Sequence, residues 1–143
     1  MNTIQQISVF VENKQGSLTA VTNALCQNNI DMRSLNLADT SDFGILRLIV
    51  NKPVEACKVI QEAGYIVSMT PVVGAKVDDT PGGLAKAMNA IVEAGLNIEY
   101  MYAFVNREPN CANVIFRTDD NDRCIAALQA ADVAVVPDTD IYA

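Results

Sequence analysis

The feature that most constrains the fold of this 143-residue chain is that its first half repeats in its second half. The segment VFVENKQGSLTAVTNALCQNNIDM, which begins at Val9, aligns with AKVDDTPGGLAKAMNAIVEAGLNI, which begins at Ala75. Gly16 matches Gly82, an offset of 66 residues, and the offset becomes 68 after a longer turn, where Ile60 matches Leu128. Such a repeat predicts two copies of one structural unit, at residues 1–71 and 72–143.

Each copy shows the same order of local signals. A strand with alternating apolar residues comes first, and an amphipathic helix follows that should end near Asn29 or its counterpart Gly95. In the second copy we expect Pro81 in the first helical turn, with Asp79 or Thr80 as the cap. The remaining predicted elements are strands at 32–39 and 44–50, a helix at 54–63 and a strand at 65–70, then strands at 98–105 and 111–117, a helix at 121–131 and a strand at 133–136. This order, βαββαβ twice, predicts an α+β fold of two ferredoxin-like units in tandem.

Charge and hydropathy exclude several classes of protein. The chain carries 17 acidic and 10 basic residues, a net charge of −7, and it has no basic run. Nucleic-acid binding needs clustered positive charge, and an acidic surface disfavours anionic membranes, so neither partner is expected. The N-terminus does not have the pattern of a signal peptide and no apolar run is long enough to span a bilayer, so we expect a cytoplasmic protein.

The chain has few of the residues on which catalysis and metal binding usually depend. It contains no histidine, which removes the commonest general acid–base residue and the commonest zinc ligand. Its four cysteines lie far apart in apolar patterns and are expected to be reduced, buried thiols: Cys26, Cys57, Cys111 and Cys124. The acidic run Asp119, Asp120 and Asp122 lacks the spacing of a calcium loop and reads as a solvated helix start. We therefore expect no catalytic residue, no metal site and no cofactor.

One predicted strand of the second copy is apolar on both faces. Tyr100, Tyr102 and Phe104 alternate there with Met101, Ala103 and Val105. Such a strand is seldom left exposed, so it indicates either a buried sheet–sheet contact or a dimer face. Coverage by a loop of the same chain is the alternative.

A polar loop with glycine lies between the first strand and the first helix of both copies, at Glu12–Leu18 and at Asp78–Leu84. The start of a helix offers backbone N–H groups and partial positive charge to a carboxylate, and glycine permits close approach. A nearby Asn or Asp oxygen accepts from an ammonium group. The loop could therefore hold the backbone end of an amino acid, although an ordinary turn and cap has the same composition. Neither loop contains a phosphate-binding fingerprint.

These residues resemble the ACT domain family. DDTPGGLAKAMNAIVEAGLNIEYMYAF, from Asp78, is similar to the family pattern of strand, D/N-x-x-P-G-x-L and helix, followed by N-I. In the first copy VENKQGSL and NNIDMRSLNLADTSDFGILRLIV resemble it too, and PDTDIYA resembles the last strand of the family. The resemblance covers nearly the whole chain and implies a stand-alone pair of ACT units. Such units bind small metabolites, usually amino acids, report on them to metabolic enzymes, and commonly pair with their sheets joined side by side.

The resemblance also implies site residues at the seam between neighbouring units. It places the side chains of Asn13 and Asp79 against the ligand amino group. The ligand carboxylate would be held by the backbone of two segments, and the opening of strand two would line the site from the other side. These residues are Gln15, Gly16, Ser17 and Leu18 with Pro81, Gly82, Gly83 and Leu84 for the carboxylate, and Asp31, Met32, Asn97 and Ile98 for the lining.

The first loop departs from the family pattern. Asn13 stands for the usual Asp, Gln15 for the usual Pro, and Asp31 for the usual Asn. We therefore expect the two loops to bind with different affinity, or only one to be occupied.

Three functions follow from the sequence. The first is a non-catalytic sensor of a free amino acid, acting as a homodimer on a metabolic enzyme. The second is a structural module that docks on a protein partner and binds no small molecule. The third is a small enzyme of ferredoxin-like fold, although no residue of the sequence is a clear candidate for catalysis.

Overall fold

The computed structural model describes residues 2–12, 14–39, 42–104 and 108–142. Two compact units divide the chain. The first unit contains Gln5–Thr70 together with Ile141 and Tyr142, and the second unit contains Pro71–Asp140 together with the start of the chain up to Ile4.

The first unit has the predicted βαββαβ order. Its elements are β1 (Ile4–Glu12), α1 (Ser17–Gln27), β2 (Met32–Asp39), β3 (Phe43–Val50), α2 (Pro53–Glu62) and the beginning of β4 (Ile66–Asp78). The strands lie in the order β2-β3-β1-β4. Strand β3 is antiparallel to β1, with Val11 opposite Gly44 and Glu12 opposite Phe43.

The second unit repeats this arrangement. The end of β4 is its first strand, followed by α3 (Gly83–Glu93), β5 (Ile98–Phe104), β6 (Cys111–Thr118), α4 (Asn121–Ala130) and β7 (Ala134–Val135). The strands β4, β6 and β5 are neighbours in that order, and β7 pairs with β4. Val77 lies opposite Ala112 and Asp78 opposite Cys111. These pairs match Val11–Gly44 and Glu12–Phe43, so both offsets of the repeat are confirmed.

A separate hydrophobic core fills the space between helices and sheet in each unit. The alternation of β1 puts Ile7, Val9 and Val11 into the first core, and that of β4 puts Val73, Ala75 and Val77 into the second. The helices contribute Val21, Leu25 and Ile60 to the first and Ala87, Ile91 and Leu128 to the second. Because both cores repeat the same positions, the tandem α+β fold predicted from the sequence is confirmed.

The helix ends were predicted more accurately at the C-terminus than at the N-terminus. Asn29 has φ 54° and Gly95 has φ 80°, the left-handed conformation that ends each helix where expected. The prediction of Asp79 or Thr80 as the cap of α3, and of Pro81 in its first turn, was wrong. The N-cap of α3 is Gly82, and no side chain makes a capping hydrogen bond there.

Two strand predictions also need correction. The strands expected on either side of residue 71 form one strand, β4, which continues through Pro71. The C-terminal PDTDIYA was expected to resemble a strand, but Asp138–Tyr142 forms a short helix, α5. Pro137 begins this turn, since its carbonyl accepts from the Asp140 N–H at 3.1 Å, and acidic residues in a first turn suit the helix dipole. The domain boundary after residue 71 stays a prediction.

The aromatic strand β5 is largely covered within one chain. Tyr102 and Phe104 are 8% and 9% exposed, on the sheet face opposite the helices. On the same face, Ile4 and Val136 lie against Gly74, where a Cβ would come within 2.9 Å of Ile4 Cδ1. Burial of these rings therefore does not by itself require a second copy of the chain.

The four cysteines form no disulfide bond. The expectation that all are buried was wrong, because Cys26 is exposed and Cys57 and Cys111 are half-buried. Only Cys124 is fully buried. Burial raises the pKa of the Cys124 thiol to about 11, and burial also raises that of Cys57.

Candidate functional site

The first loop delivers the chain to α1 without a side-chain cap. Gly16, the N-cap residue, has φ 90°, and its carbonyl accepts from the Ala20 N–H at 3.0 Å. The Ser17 N–H reaches back to the Lys14 carbonyl at 3.4 Å. The N–H groups of a first helical turn have no partner within the helix, and among the described residues no side-chain cap is found here. The start of α1 therefore presents donors and partial positive charge.

The second loop makes the same turn with a tighter backbone. Gly82 has φ 91° and its carbonyl accepts from the Lys86 N–H at 3.0 Å. A Cβ on Gly83 would lie 2.0 Å from the Asp78 carbonyl oxygen, so only glycine fits there. The matching residue of the first loop, Ser17, carries a Cβ. The preceding strand end therefore cannot approach α1 as closely as Asp78 approaches α3.

Helix α4 shows what an ordinary helix start looks like in this protein. The Asp120 side chain accepts from the Arg123 N–H at 3.1 Å, which satisfies one of the first N–H groups. Asp119 accepts from the Asn97 N–H at 3.3 Å. The acidic run therefore supports the second unit, and no group of three metal-ligating side chains occurs in the described ranges.

A cavity of about 340 Å³ lies beside the start of α1 in the first unit. The end of β1, the beginning of β3, the turn into β4 and the loop itself form its walls. Its lining residues are Phe10, Val11, Glu12, Lys14, Ser17, Phe43, Gly64, Tyr65 and Ile66. A second, smaller cavity of about 60 Å³ shares Val11, Glu12, Lys14 and Phe43 with it and adds Leu18 and Leu37. Together they surround the point at which the first loop leaves the sheet.

The lining of this cavity combines polar and apolar groups. The Lys14 ammonium lies 3.1 Å from the Glu12 carboxylate, and both side chains are mostly exposed. The Tyr65 hydroxyl donates to the Ser17 carbonyl at 3.4 Å, which holds the ring against the first turn of α1. Phe10, Phe43 and Ile66 leave much of their side chains exposed beside these groups. The arrangement suits a small molecule with a charged end and an apolar end.

The structure brings only some of the predicted residues of the first unit to this cavity. Ser17 lines it, and Leu18 lines the smaller one. Gln15 and Gly16 are exposed in the same loop, and Asn13 lies outside the described residues. Asp31 and Met32 lie toward the other end of β3. Met32 pairs with Val50, whereas Glu12 pairs with Phe43, seven residues away along β3, or about 24 Å.

The predicted residues of the second unit divide in the same way. Asp79, Pro81, Gly82 and Leu84 are exposed at the start of α3, with Gly83 half-buried among them. The Asp79 N–H donates to the Asn110 carbonyl at 3.0 Å, which anchors the loop to the turn before β6. Ile98 pairs with Thr118 at the opposite end of its sheet, and Asn97 is beside it.

The apolar residues of the cavity were not predicted as site residues. Phe10, Phe43, Tyr65 and Ile66 come together only through strand pairing and the turn before β4. One of them left a signal in the sequence. Gln6, Ser8 and Glu12 share one face of β1, opposite Ile7, Val9 and Val11, and Phe10 is an aromatic residue between the polar Ser8 and Glu12.

The second unit has different residues at the matching positions. Phe10 matches Lys76 and Phe43 matches Cys111, while Tyr65 and Ile66 match Val133 and Ala134. The Lys76 ammonium lies 2.9 Å from both carboxylate oxygens of Glu108. This hydrogen bond raises the pKa of Lys76 and lowers that of Glu108. The place that Phe10 occupies in the first unit thus holds an ion pair in the second.

No helix in the described part of the chain has the length and apolar character that a membrane span requires. No protein of curated function matches the chain. Among solved structures, protein BT0572 from Bacteroides thetaiotaomicron is 40% identical, with a TM-score of 0.92 and 99% of each chain covered.

The regulatory subunits of aspartate kinase from two Thermus species share the fold. That of Thermus thermophilus is 18% identical with a TM-score of 0.66, covering 89% of this chain and 91% of that one. That of Thermus flavus is 19% identical with a TM-score of 0.61, covering 90% and 92%. The sequence profile of the family described as ACT domain pair matches residues 2–143. The chain therefore belongs to the ACT domain pair family.

Proposed function

We propose that this protein is a non-catalytic cytoplasmic regulator that binds a free amino acid beside the start of α1 and reports its presence to a metabolic enzyme. The cavity of about 340 Å³ at an uncapped helix start is the observation that carries the proposal. A carboxylate suits the donors and partial charge of α1, and Lys14 also lines the cavity. An ammonium group suits the Glu12 carboxylate. A zwitterion therefore finds both charges complemented within one loop.

The residues implied by the family resemblance complete this site in the proposal. Asn13, or Asp79 in the second unit, contacts the ligand amino group. The backbone from Gln15 to Leu18, or from Pro81 to Leu84, holds the carboxylate. Asp31 with Met32, and Asn97 with Ile98, line a site from a neighbouring unit, since each pair lies far from the loop of its own sheet.

A regulatory role is supported by the kind of protein that shares this fold. The Thermus thermophilus chain is described as a regulatory subunit of aspartate kinase in its ligand-free form, and it has nearly the same extent as this one. We propose that this chain also acts on an enzyme carried by another polypeptide.

A homodimer is part of the proposal. Strand β2 lies at the end of the strand order, and within the described residues its pairing partner is β3. Leu35 and Leu37 on this edge strand are 58% and 42% exposed. An edge with exposed apolar residues is a ready surface for a second copy. Analytical ultracentrifugation should therefore give about twice the chain mass of 15.4 kDa, and a 15.4 kDa species at micromolar concentration would contradict the dimer.

The same edge strand favours the second candidate, a docking module for a protein partner without a small ligand. A thermal-shift screen against the twenty amino acids separates the two functions. A ligand at 100 times its dissociation constant adds about 2.7 kcal/mol to the free energy of unfolding, a shift on the order of 10 °C. One amino acid that gives this shift supports the sensor. If none of them shifts the melting temperature, the docking module is the function that the result favours.

Two substitutions test which loop is used. Asn13→Ala and Asp79→Ala remove the proposed amino-group contact from the first and second loops in turn. We expect Asn13→Ala to lower the affinity for the amino acid about tenfold, because one charge-assisted hydrogen bond is lost. We expect Asp79→Ala to lower the affinity less. Equal losses of affinity by calorimetry would contradict the inequivalence of the loops.

A further inference from the structure

We infer that the cavity of the first unit selects an amino acid with a large apolar side chain, either aromatic or branched aliphatic, and that the second unit does not offer this site. The inference rests on the proposed function, which it sharpens by naming the class of ligand. Its basis is the lining of the cavity, compared position by position with the second unit.

The two charges of the cavity belong at its mouth. Glu12 and Lys14 have side chains that are 63% and 68% exposed, and they pair with each other at 3.1 Å. Their positions before and within the loop suit the ammonium and carboxylate groups that every free amino acid carries. Neither is therefore available to neutralise a third charge on the ligand side chain.

The rest of the lining is apolar and partly uncovered. Phe10, Phe43 and Ile66 are 47%, 56% and 73% exposed, and Tyr65 stands beside them with its hydroxyl turned to the Ser17 carbonyl. An apolar ligand side chain would remove part of this surface from water, which is favourable. A charged side chain there would lose its hydration without gaining a partner.

The volume of the cavity further narrows the range of amino acids that fit. About 340 Å³ is at the small end of the range for ligand sites, which begins at roughly 300 Å³. It is sufficient for one amino acid with a large side chain. A very small side chain, such as that of glycine or alanine, would leave Phe10, Phe43 and Ile66 uncovered.

The second unit provides an internal comparison. Lys76, Cys111 and Ala134 stand at the positions of Phe10, Phe43 and Ile66. Lys76 is held by both oxygens of Glu108 at 2.9 Å, so the matching space contains charge. The fold thus accepts small or polar residues at these positions, and the three apolar residues of the first unit are not demanded by the fold.

The experiment is isothermal titration calorimetry of the full chain with phenylalanine, leucine, alanine, serine, aspartate and lysine. It is repeated with Phe43→Ala, with Ile66→Ala, which copies Ala134, and with the control Val54→Ala. Val54 is 72% exposed, close to the 73% of Ile66, and lies outside the cavity lining. Circular dichroism melts confirm that each variant is folded.

We expect phenylalanine or leucine to bind at least about tenfold more tightly than alanine, since one large apolar group contributes on that scale. Phe43→Ala should lower the affinity for the preferred ligand about tenfold, Ile66→Ala about threefold, and Val54→Ala less than twofold.

Two results would overturn the inference and leave the proposed function standing. One is tightest binding by alanine, serine, aspartate or lysine. The other is tight binding of phenylalanine or leucine that neither Phe43→Ala nor Ile66→Ala weakens. Absence of a shift from any of the twenty amino acids in the thermal-shift screen, together with no binding by the six in calorimetry, would overturn the proposed function and the inference with it.

Discussion

The first and second units turn into their first helix through the same backbone conformation and then build different surroundings for it. Gly16 and Gly82 have φ of 90° and 91°, and both helices lack a side-chain cap. Around α1, however, lies a cavity with exposed aromatic residues, whereas α3 begins against the Asp78 carbonyl. The comparison teaches that the repeat fixes where a ligand could be held by its backbone end, while the neighbouring strands decide what kind of side chain would fit.

The largest expected effect comes from adding a methyl group to the tighter loop. Gly83→Ala places a Cβ 2.0 Å from the Asp78 carbonyl oxygen and 2.9 Å from its carbon, so the loop must rearrange. We expect the free energy of unfolding to fall by about 3 kcal/mol, at the upper end for overpacking. Gly16→Ala meets no atom within 4 Å and carries only the strain of its positive φ, about 1 kcal/mol. Urea denaturation of both variants measures the difference, and equal losses would contradict the crowding of Gly83 by the Asp78 carbonyl.

The next effect concerns a buried position at which the units differ. Cys124 in α4 matches Ala56 in α2, and both are fully buried. Burial raises the pKa of the Cys124 thiol from 9.0 to about 11, although a hydrogen bond with Thr118 opposes this. Below pH 9 the thiol is protonated in both the folded and unfolded states. Between pH 9 and about 11 the unfolded state ionises first, so the free energy of unfolding should decrease, by on the order of 2 kcal/mol.

The matched control for this pH effect is Cys124→Ala, which copies the first unit. Chemical denaturation at pH 8 and at pH 10.5 should show a smaller loss of stability in this variant than in the unmodified chain. An identical loss in both proteins would show that other groups cause the alkaline destabilisation.

The smallest effect separates the capped from the uncapped helix start. Asp120→Ala removes the hydrogen bond to the Arg123 N–H at α4 and should cost about 1 kcal/mol. Lys52→Ala, at the N-cap of α2, removes no capping bond and should change stability by less than about 0.5 kcal/mol. If the two substitutions were equally costly, the capping role of Asp120 would be refuted.

The tandem fold could be predicted because the repeat supplied its own check. Each unit depends on a short-range pattern, alternation in β1 and β4 and helical spacing in α1 and α3, and the two offsets agree with the observed strand registers. The errors occurred where local signals compete with long-range pairing. Pro71 reads as an interruption, yet β4 continues through it, and Pro137, followed by Asp138 and Asp140, begins a helical turn rather than a strand.

The candidate site was predictable only in its loop. The glycines and polar residues of the loop are contiguous in the sequence, so a helix start that suits a carboxylate could be identified from them. Phe10, Phe43, Tyr65 and Ile66 are distant from one another along the chain and become neighbours through three strands and a turn. Which side chain a ligand would carry depends on that juxtaposition, which no local pattern encodes.

The contacts of Ile141 and Tyr142 have a consequence for how the protein is made. The Gln5 N–H donates to the Tyr142 hydroxyl at 3.1 Å, across 137 positions, and Arg33 Nε donates to the Ile141 carbonyl at 3.3 Å, across 108 positions. A ribosome adding about 5–20 residues per second finishes Ile141 several seconds after Thr70. During synthesis the contacts of Gln5 and Arg33 with these residues therefore stay unformed until Ile141 and Tyr142 have been made. A ribosome stall within the second half would strand the nascent first half in an incomplete state and expose it to proteases and chaperones.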